Sequence, residues 1–260
     1  MKVLCVGDVV GDAGLAFLCE TLPALKQETG ADLVVVNGEN SDKSGTGLSR
    51  AGAETLLQYA DVITTGNHCY RRAGEELYME NEMVLHPANF PYTSPEAGCC
   101  LVDLGRFGSA RVINLAGVAW MEPIDNPFAR LDELLGYGQA RYTIVDFHAE
   151  STAEKKAFAF FADGRVSAVF GTHTHVQTAD EQILPKGTGF ITDVGMTGPE
   201  ISVLGVEPAL AVKKQQTHQM VAFKVAEGSC ILNAVLFSLD EKTGLCTAVQ
   251  RICKRPYAPH

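Results

Sequence analysis

Short apolar runs alternate with amphipathic stretches along the first half of the chain. Lys2 to Val6 is an unbroken, β-rich run that stops at Gly7-Asp8. Leu15, Leu18, Leu22 and Leu25 follow at spacings of three and four, the period of one helical face. Leu33 to Val36 is a second apolar run, ending at Asn37-Gly38-Glu39-Asn40. Ala51 to Tyr59 fits another helix, and Val62 to Thr65 is a third strand, ending at Gly66-Asn67-His68. Strands that are apolar at every position are buried on both faces. With helices between them, they predict an α/β fold with a parallel sheet covered on each side.

The later chain repeats this rhythm. Tyr142 to Phe147 reads as a strand leading to His148. Ser151 to Ala162 reads as a helix, with Ser151 or Thr152 as its cap and Glu154 as a capping-box partner. Val166 to Phe170 leads to Gly171-Thr172-His173-Thr174-His175. If that segment stays extended, His173 and His175 share one face. Asp146 shares a face with His148, where it could orient the imidazole. Gln219 to Val225, Cys230 to Leu239 and Leu245 to Ile252 read as strands, with turns at Gly228 and at Asp240 to Gly244. With no internal repeat or linker, the pattern predicts one domain over 1–260.

Composition narrows the function. Hydrophobic residues make up 46% of the 260 positions, enough for a sizeable core. No apolar run approaches the length of a membrane span, and the start has no signal-peptide pattern, so a cytoplasmic protein is expected. The formal charge of −10 and the lack of a Lys/Arg-rich run argue against long nucleic acid as a partner. A small phosphoester remains compatible if cations supply positive charge locally. The eight cysteines include no C-x-x-C pair and are expected as small buried hydrophobes. Nothing fixes the oligomeric state, and a homo-oligomer stays open.

The chemistry collects at strand ends: Asp8, Glu39-Asn40, Asn67-His68, His148 and His173/His175. Ligands of open α/β sheets bind beyond the carboxyl ends of strands. The donors are carboxylate, amide and imidazole, without thiolate, a set suited to hard or borderline ions. Blander readings exist for each residue. Asp8 could cap a helix, Glu39-Asn40 could be turn polarity, and His148 could be a core histidine. His86, His218 and His260 have no motif support. The glycine-rich 45–49 stretch lacks a phosphate-loop Lys and reads as a turn and helix cap. Asp193 either shapes the pocket or holds a turn. Cys69 reads as a packing residue beside His68.

The segments GDVVG (7–11), NGEN (37–40), TTGNH (64–68), PANFP (87–91), VDFHAE (145–150), GTHTHVQTADE (171–181) and ITDVGMTGP (191–199) run in one order across nearly the whole chain. In this the sequence resembles the calcineurin-like metallophosphoesterases, most closely the bacterial YmdB-like branch. The resemblance implies a four-layer α/β/β/α sandwich holding two divalent or trivalent metal ions, iron or manganese by preference. By the family pattern, Asp8 and His175 would bind one ion. Asn40, Asn67, His148 and His173 would bind the other, Glu39 would bridge them, and His68 would donate the proton. The implied reaction is phosphodiester hydrolysis by a metal-bridging hydroxide, with 2′,3′-cyclic nucleotides favoured.

The chain departs from the broader superfamily where D-x-H becomes Asp8-Val9-Val10 and where the bridging Asp becomes Glu39. Against the branch, Arg71 follows Cys69-Tyr70 where an acidic residue is usual, and His86 stands where an Arg is usual. The alternatives are a phosphomonoesterase or protein phosphatase on the same centre, or a regulatory protein with a structural metal site.

Overall fold

The computed structural model describes residues 1–91, 98–138 and 140–256. Strand β1 (Lys2–Val6) and the short β2 (Asp8–Val9) lead into helix α1 (Gly11–Thr29). Then come β3 (Leu33–Asn37), α2 (Arg50–Leu56), β4 (Val62–Thr64) and α3 (Glu76–Glu80). The antiparallel pair β5 (Cys99–Asp103) and β6 (Ser109–Ala116) precedes α4 (Pro127–Leu135), β7 (Tyr142–His148), α5 (Thr152–Ala162) and β8 (Ala168–Thr172). The chain continues through β9 (Gln182–Ile183), β10 (Gly189–Ile191), β11 (Met196–Pro199), α6 (Pro208–Thr217), β12 (Cys230–Leu239) and β13 (Cys246–Lys254).

These strands form two mixed sheets. One runs β2-β11-β12-β1-β3-β4, with β13 paired to β12; the other runs β5-β6-β7-β8-β10-β9. The parallel expectation holds at the centre of each, in β1-β3-β4 and in β6-β7-β8-β10.

Alternation along each strand sends successive side chains to opposite faces. Val3, Cys5, Leu33 and Val35 of one sheet meet Ala110, Val112, Ile144 and Phe170 of the other in a shared core. Their neighbours Leu4, Val6, Val34 and Val36 face α1 and α2 through Leu18, Leu22, Leu25, Ala53 and Leu56. On the far side, Ile113, Val145 and Val169 pack on Leu131 and Leu134 of α4 and on Phe158 and Ala159 of α5. The order of layers is therefore α/β/β/α. Both faces of each central strand are buried, which is why those segments read as continuous apolar runs.

Three local expectations change. Ser151 caps α5, its Oγ accepting from Glu154 N at 3.3 Å. The capping box does not close, because the Glu154 carboxylate turns away to accept from Val118 N (2.9 Å) and Ala119 N (3.2 Å). Residues 219–225 are not a strand; only Val225 makes an isolated bridge, to Val206. The alternating segment lacks a neighbouring strand, and β-propensity expresses itself only where there is a ladder to join. Finally, His173 and His175 are not extended: their φ values are 97° and 65°. The 45–49 stretch is a turn and cap, with Ser49 Oγ accepting from Gly52 N at 3.2 Å.

Candidate metal centre

The carboxyl ends of the parallel strands in the two sheets point to one place. From the β1-β3-β4 side come Asp8, Glu39, Asn40, Asn67 and His68; from the β7-β8 side come His148, His173 and His175. Asp8 does not cap α1, whose N-cap is Val10. Its Oδ2 instead accepts from His173 N at 3.2 Å, tying the two sheets together. Its Oδ1 lies 3.8 Å from both His148 Nδ1 and His175 Nε2.

Glu39 sits at the centre. Its Oε1 is 3.0 Å from His68 Nδ1 and its Oε2 is 3.2 Å from His148 Nε2. Both oxygens are buried, yet neither contact has hydrogen-bond alignment. The imidazole nitrogens are aligned with other partners. His68 Nδ1 meets Asn40 Oδ1 at 3.0 Å; His148 Nε2 meets Asn67 Oδ1 at 3.1 Å and His173 Nδ1 at 3.0 Å. Asn40 Nδ2 reaches His175 Nε2 at 3.2 Å.

The buried Asp8 Oδ1 is likewise without a hydrogen-bond partner. Leaving buried carboxylate oxygens unsatisfied is costly, about 1–3 kcal/mol or more each. Glu39, His148 and His173 bring three donor atoms within 4.8 Å of one another. Orphaned carboxylate oxygens facing convergent imidazole and amide atoms are the donor set that a cation would satisfy.

The electrostatics agree. Burial works to raise the Glu39 carboxyl, but the imidazoles of His148 and His68 hold it well below the usual carboxylate range. Burial pushes Asp8 upward, opposed by His175 and His148. His148 would be depressed by burial alone; Glu39, Asp8 and Asp146 lift it to about 9. His173 is pushed down to about 3 by burial and by His148.

Around this centre lies a buried bracket. Thr172 Oγ1 donates to Asp146 Oδ1 at 2.7 Å and meets His148 Nδ1 at 2.9 Å. Asp146 thus reaches His148 through Thr172, not by direct contact. Its other oxygen accepts from Thr64 Oγ1 (2.5 Å) and Asn37 Nδ2 (3.0 Å), across the sheet boundary. Burial raises the Asp146 carboxyl to about 6 despite His148 and these donors. Asp193 holds the histidine turn, with Oδ2 accepting from Thr174 N (3.1 Å) and Thr174 Oγ1 (2.8 Å).

Sequence reasoning missed Thr172, Thr64 and Asn37 as supports. Their strand-end positions were the available signal. It also missed Lys155, buried on α5 and bonded to Asp193, and Glu150, whose Oε2 lies 3.1 Å from His173 Nε2.

The residues without motif support separate from this centre. His86 is buried beside the rings of Tyr70, Tyr78 and Phe90, with Nδ1 on Pro87 O. His218 ends α6 in a left-handed conformation. His260 lies outside the described residues. Cys69 is a buried packing residue, and all eight cysteines are free thiols.

Fold and site together define a class: a two-sheet α/β/β/α protein with an oxygen-and-imidazole pocket where the sheets' strand ends meet. The YmdB-like protein family model matches residues 4–252. The 2′,3′-cyclic-nucleotide 2′-phosphodiesterase of Bacillus subtilis (strain 168) is 42% identical over 256 residues, covering 97% of this chain and 96% of that protein. Among solved structures, a novel phosphatase from Mycoplasma pneumoniae is 34% identical with a TM-score of 0.91, covering 98% of this chain and 93% of its own. A hypothetical protein from Thermus thermophilus is 37% identical with a TM-score of 0.90, covering 98% of this chain and 99% of its own. This chain belongs to the YmdB-like family.

Proposed function

We propose that the chain is a metal-dependent phosphodiesterase acting on 2′,3′-cyclic nucleotides. The observation that carries the reading is the orphaned Glu39 carboxylate, whose two buried oxygens face imidazoles that are aligned with other partners. The 42% identical Bacillus protein, named for this substrate class, supports the choice of ester. In this reading Asp8 and His175 would hold one cation, and Asn40, Asn67, His148 and His173 the other. Glu39 would serve both, and the ions would be iron or manganese. Bound there, two cations supply Lewis acidity towards the phosphoryl group and lower the pKa of water.

The chain's own residues do the rest. Thr172 fixes the ring plane of His148 by meeting Nδ1, which leaves Nε2 turned into the pocket. His68 holds its Nδ1 against Asn40 and Glu39, and no hydrogen bond engages its Nε2 among the described residues. That nitrogen delivers the proton to the departing ribose oxygen, a transfer for which imidazole is the side chain most often used. The His68 side chain is 29% exposed, so it can exchange protons with solvent between turnovers.

No helix among the described residues is long and apolar enough to cross a membrane. The eight free thiols fit a cytoplasmic enzyme acting on a small soluble phosphoester.

Steady-state rates on bis-p-nitrophenyl phosphate, p-nitrophenyl phosphate and a panel of cyclic nucleotides test the reading. Preference for the diester and turnover of 2′,3′-cyclic nucleotides support it. A clear preference for the monoester would instead favour a phosphatase, like the similar Mycoplasma pneumoniae protein.

A further inference from the structure

Trp120 is the only tryptophan in the chain and is 90% exposed. A single exposed hydrophobic side chain is ordinary; what sets this one apart is its place beside the candidate centre. The residue does not sit on a free-swinging loop. Gly117 N donates to His148 O at 2.9 Å, and Glu154 accepts from Val118 N and Ala119 N immediately before Trp120. Downstream, Asp125 N donates to Asn89 O at 3.0 Å. Trp120 itself has φ 64°, a left-handed conformation that strains an L-residue and that tethered surroundings must impose.

Trp120 borders an open depression of about 290 Å³ together with Met121, Glu122, Asn67 and His173. That volume is close to the small end of ligand sites, roughly 300–1,000 Å³. Two of its walls, Asn67 and His173, belong to the candidate centre. A ligand held there by its phosphate would therefore extend its remaining group along Trp120. Met121 adds an adaptable thioether wall, and Glu122 adds a hydrogen-bond acceptor.

Resting on the phosphodiesterase reading, we infer that Trp120 is the stacking platform for the substrate's nucleobase. The depression it shares with Asn67 and His173 is then the base subsite. Every nucleobase has a π-face, so the platform would favour nucleotides over base-free cyclic phosphates without selecting strongly among bases.

The test uses the full, metal-loaded chain. Trp120 is the sole tryptophan, so its fluorescence reports the subsite directly. The inference predicts quenching by adenosine 3′-monophosphate and none by inorganic phosphate. It further predicts that Trp120→Ala lowers kcat/KM on adenosine 2′,3′-cyclic phosphate by about 10-fold, mainly through KM. Tenfold corresponds to about 1.4 kcal/mol, within the range for one stacked base. Rates on glycerol 1,2-cyclic phosphate, which has no base, should be unchanged, and Trp120→Phe should recover most of the loss.

No quenching at millimolar 3′-monophosphate overturns the inference. So does an equal loss on both cyclic substrates. If the wild-type chain turns over no diester, the phosphodiesterase reading fails by itself, and the fluorescence titration still decides the stacking claim.

Discussion

Lys155 Nζ lies 2.6 Å from Asp193 Oδ2, and both side chains are almost completely buried. The same ammonium donates to Thr172 O at 2.7 Å, and the same carboxylate oxygen binds Thr174. One ion pair therefore grips the backbone on both sides of His173. Removing one partner of a buried pair leaves an uncompensated charge, at a cost of about 3–5 kcal/mol. Lys155→Met and Asp193→Leu should each lower stability by that order in urea unfolding. The double variant should be milder than the sum of the singles, since no lone charge remains.

Thr172 offers a gentler perturbation. Thr172→Val keeps the shape but removes the hydroxyl that links Asp146 to His148 Nδ1. Losing a partner that orients a ligand typically costs about 10–100-fold in metal affinity. Calorimetric titration with Mn²⁺ should show that loss while the fold is retained. Unchanged affinity would mean the ring is held by packing alone.

Gly66 lies where the sheets close on each other. A Cβ there would overlap Glu39 Oε2 and the imidazole edge of His148. Gly66→Ala should therefore displace those groups. A shift of about 1 Å is enough to cost roughly 100-fold in rate. The expected signature is a large drop in turnover with a much smaller change in thermal midpoint.

Much of this centre was legible in the sequence because its donors sit at the ends of apolar runs. A strand buried on both faces announces where it stops, and Asp8, Glu39, Asn67 and His148 stand at or just past those stops. The geometry of His173 and His175 was not legible. Their left-handed φ values are imposed by Asp8, which accepts from His173 N, and by Asp193, which accepts from Thr174 N. The first of these partners is 165 residues away in sequence, beyond any local pattern. Glu154 likewise fits a capping box locally, but the 118–119 backbone offers it better donors. Trp120 belongs to no periodic run, so only the folded chain reveals that it borders the pocket.

Asp180 should make part of the stability pH-dependent. Burial works against its charged form, but Thr192, Thr178 and Lys156 hold the carboxyl at about 2, below its ordinary 3.8. The unfolded chain thus binds this proton more readily. The stabilisation is essentially complete above about pH 5, declines as pH falls through the unfolded and folded values, and is gone by about pH 1. After discounting for solvent screening it is worth about 1 kcal/mol. Asp180→Asn should lower stability at neutral pH and flatten the acid limb, as read by urea midpoints across pH 2–6.

His68 carries the proton-transfer assignment. His68→Ala should cut kcat by about 10²–10⁴-fold. It should leave metal content intact, because Glu39, His148 and His173 remain to bind. Loss of metal along with turnover would make His68 a ligand instead of the donor.

In the proposed reading, residues from both sheets would hold a pair of cations around Glu39. Elemental analysis of manganese- or iron-loaded protein, beside Glu39→Gln treated identically, tests it most directly. About two ions per wild-type chain and a marked loss in the variant are expected. A wild-type chain without stoichiometric metal, or a variant that keeps its full complement, would contradict it.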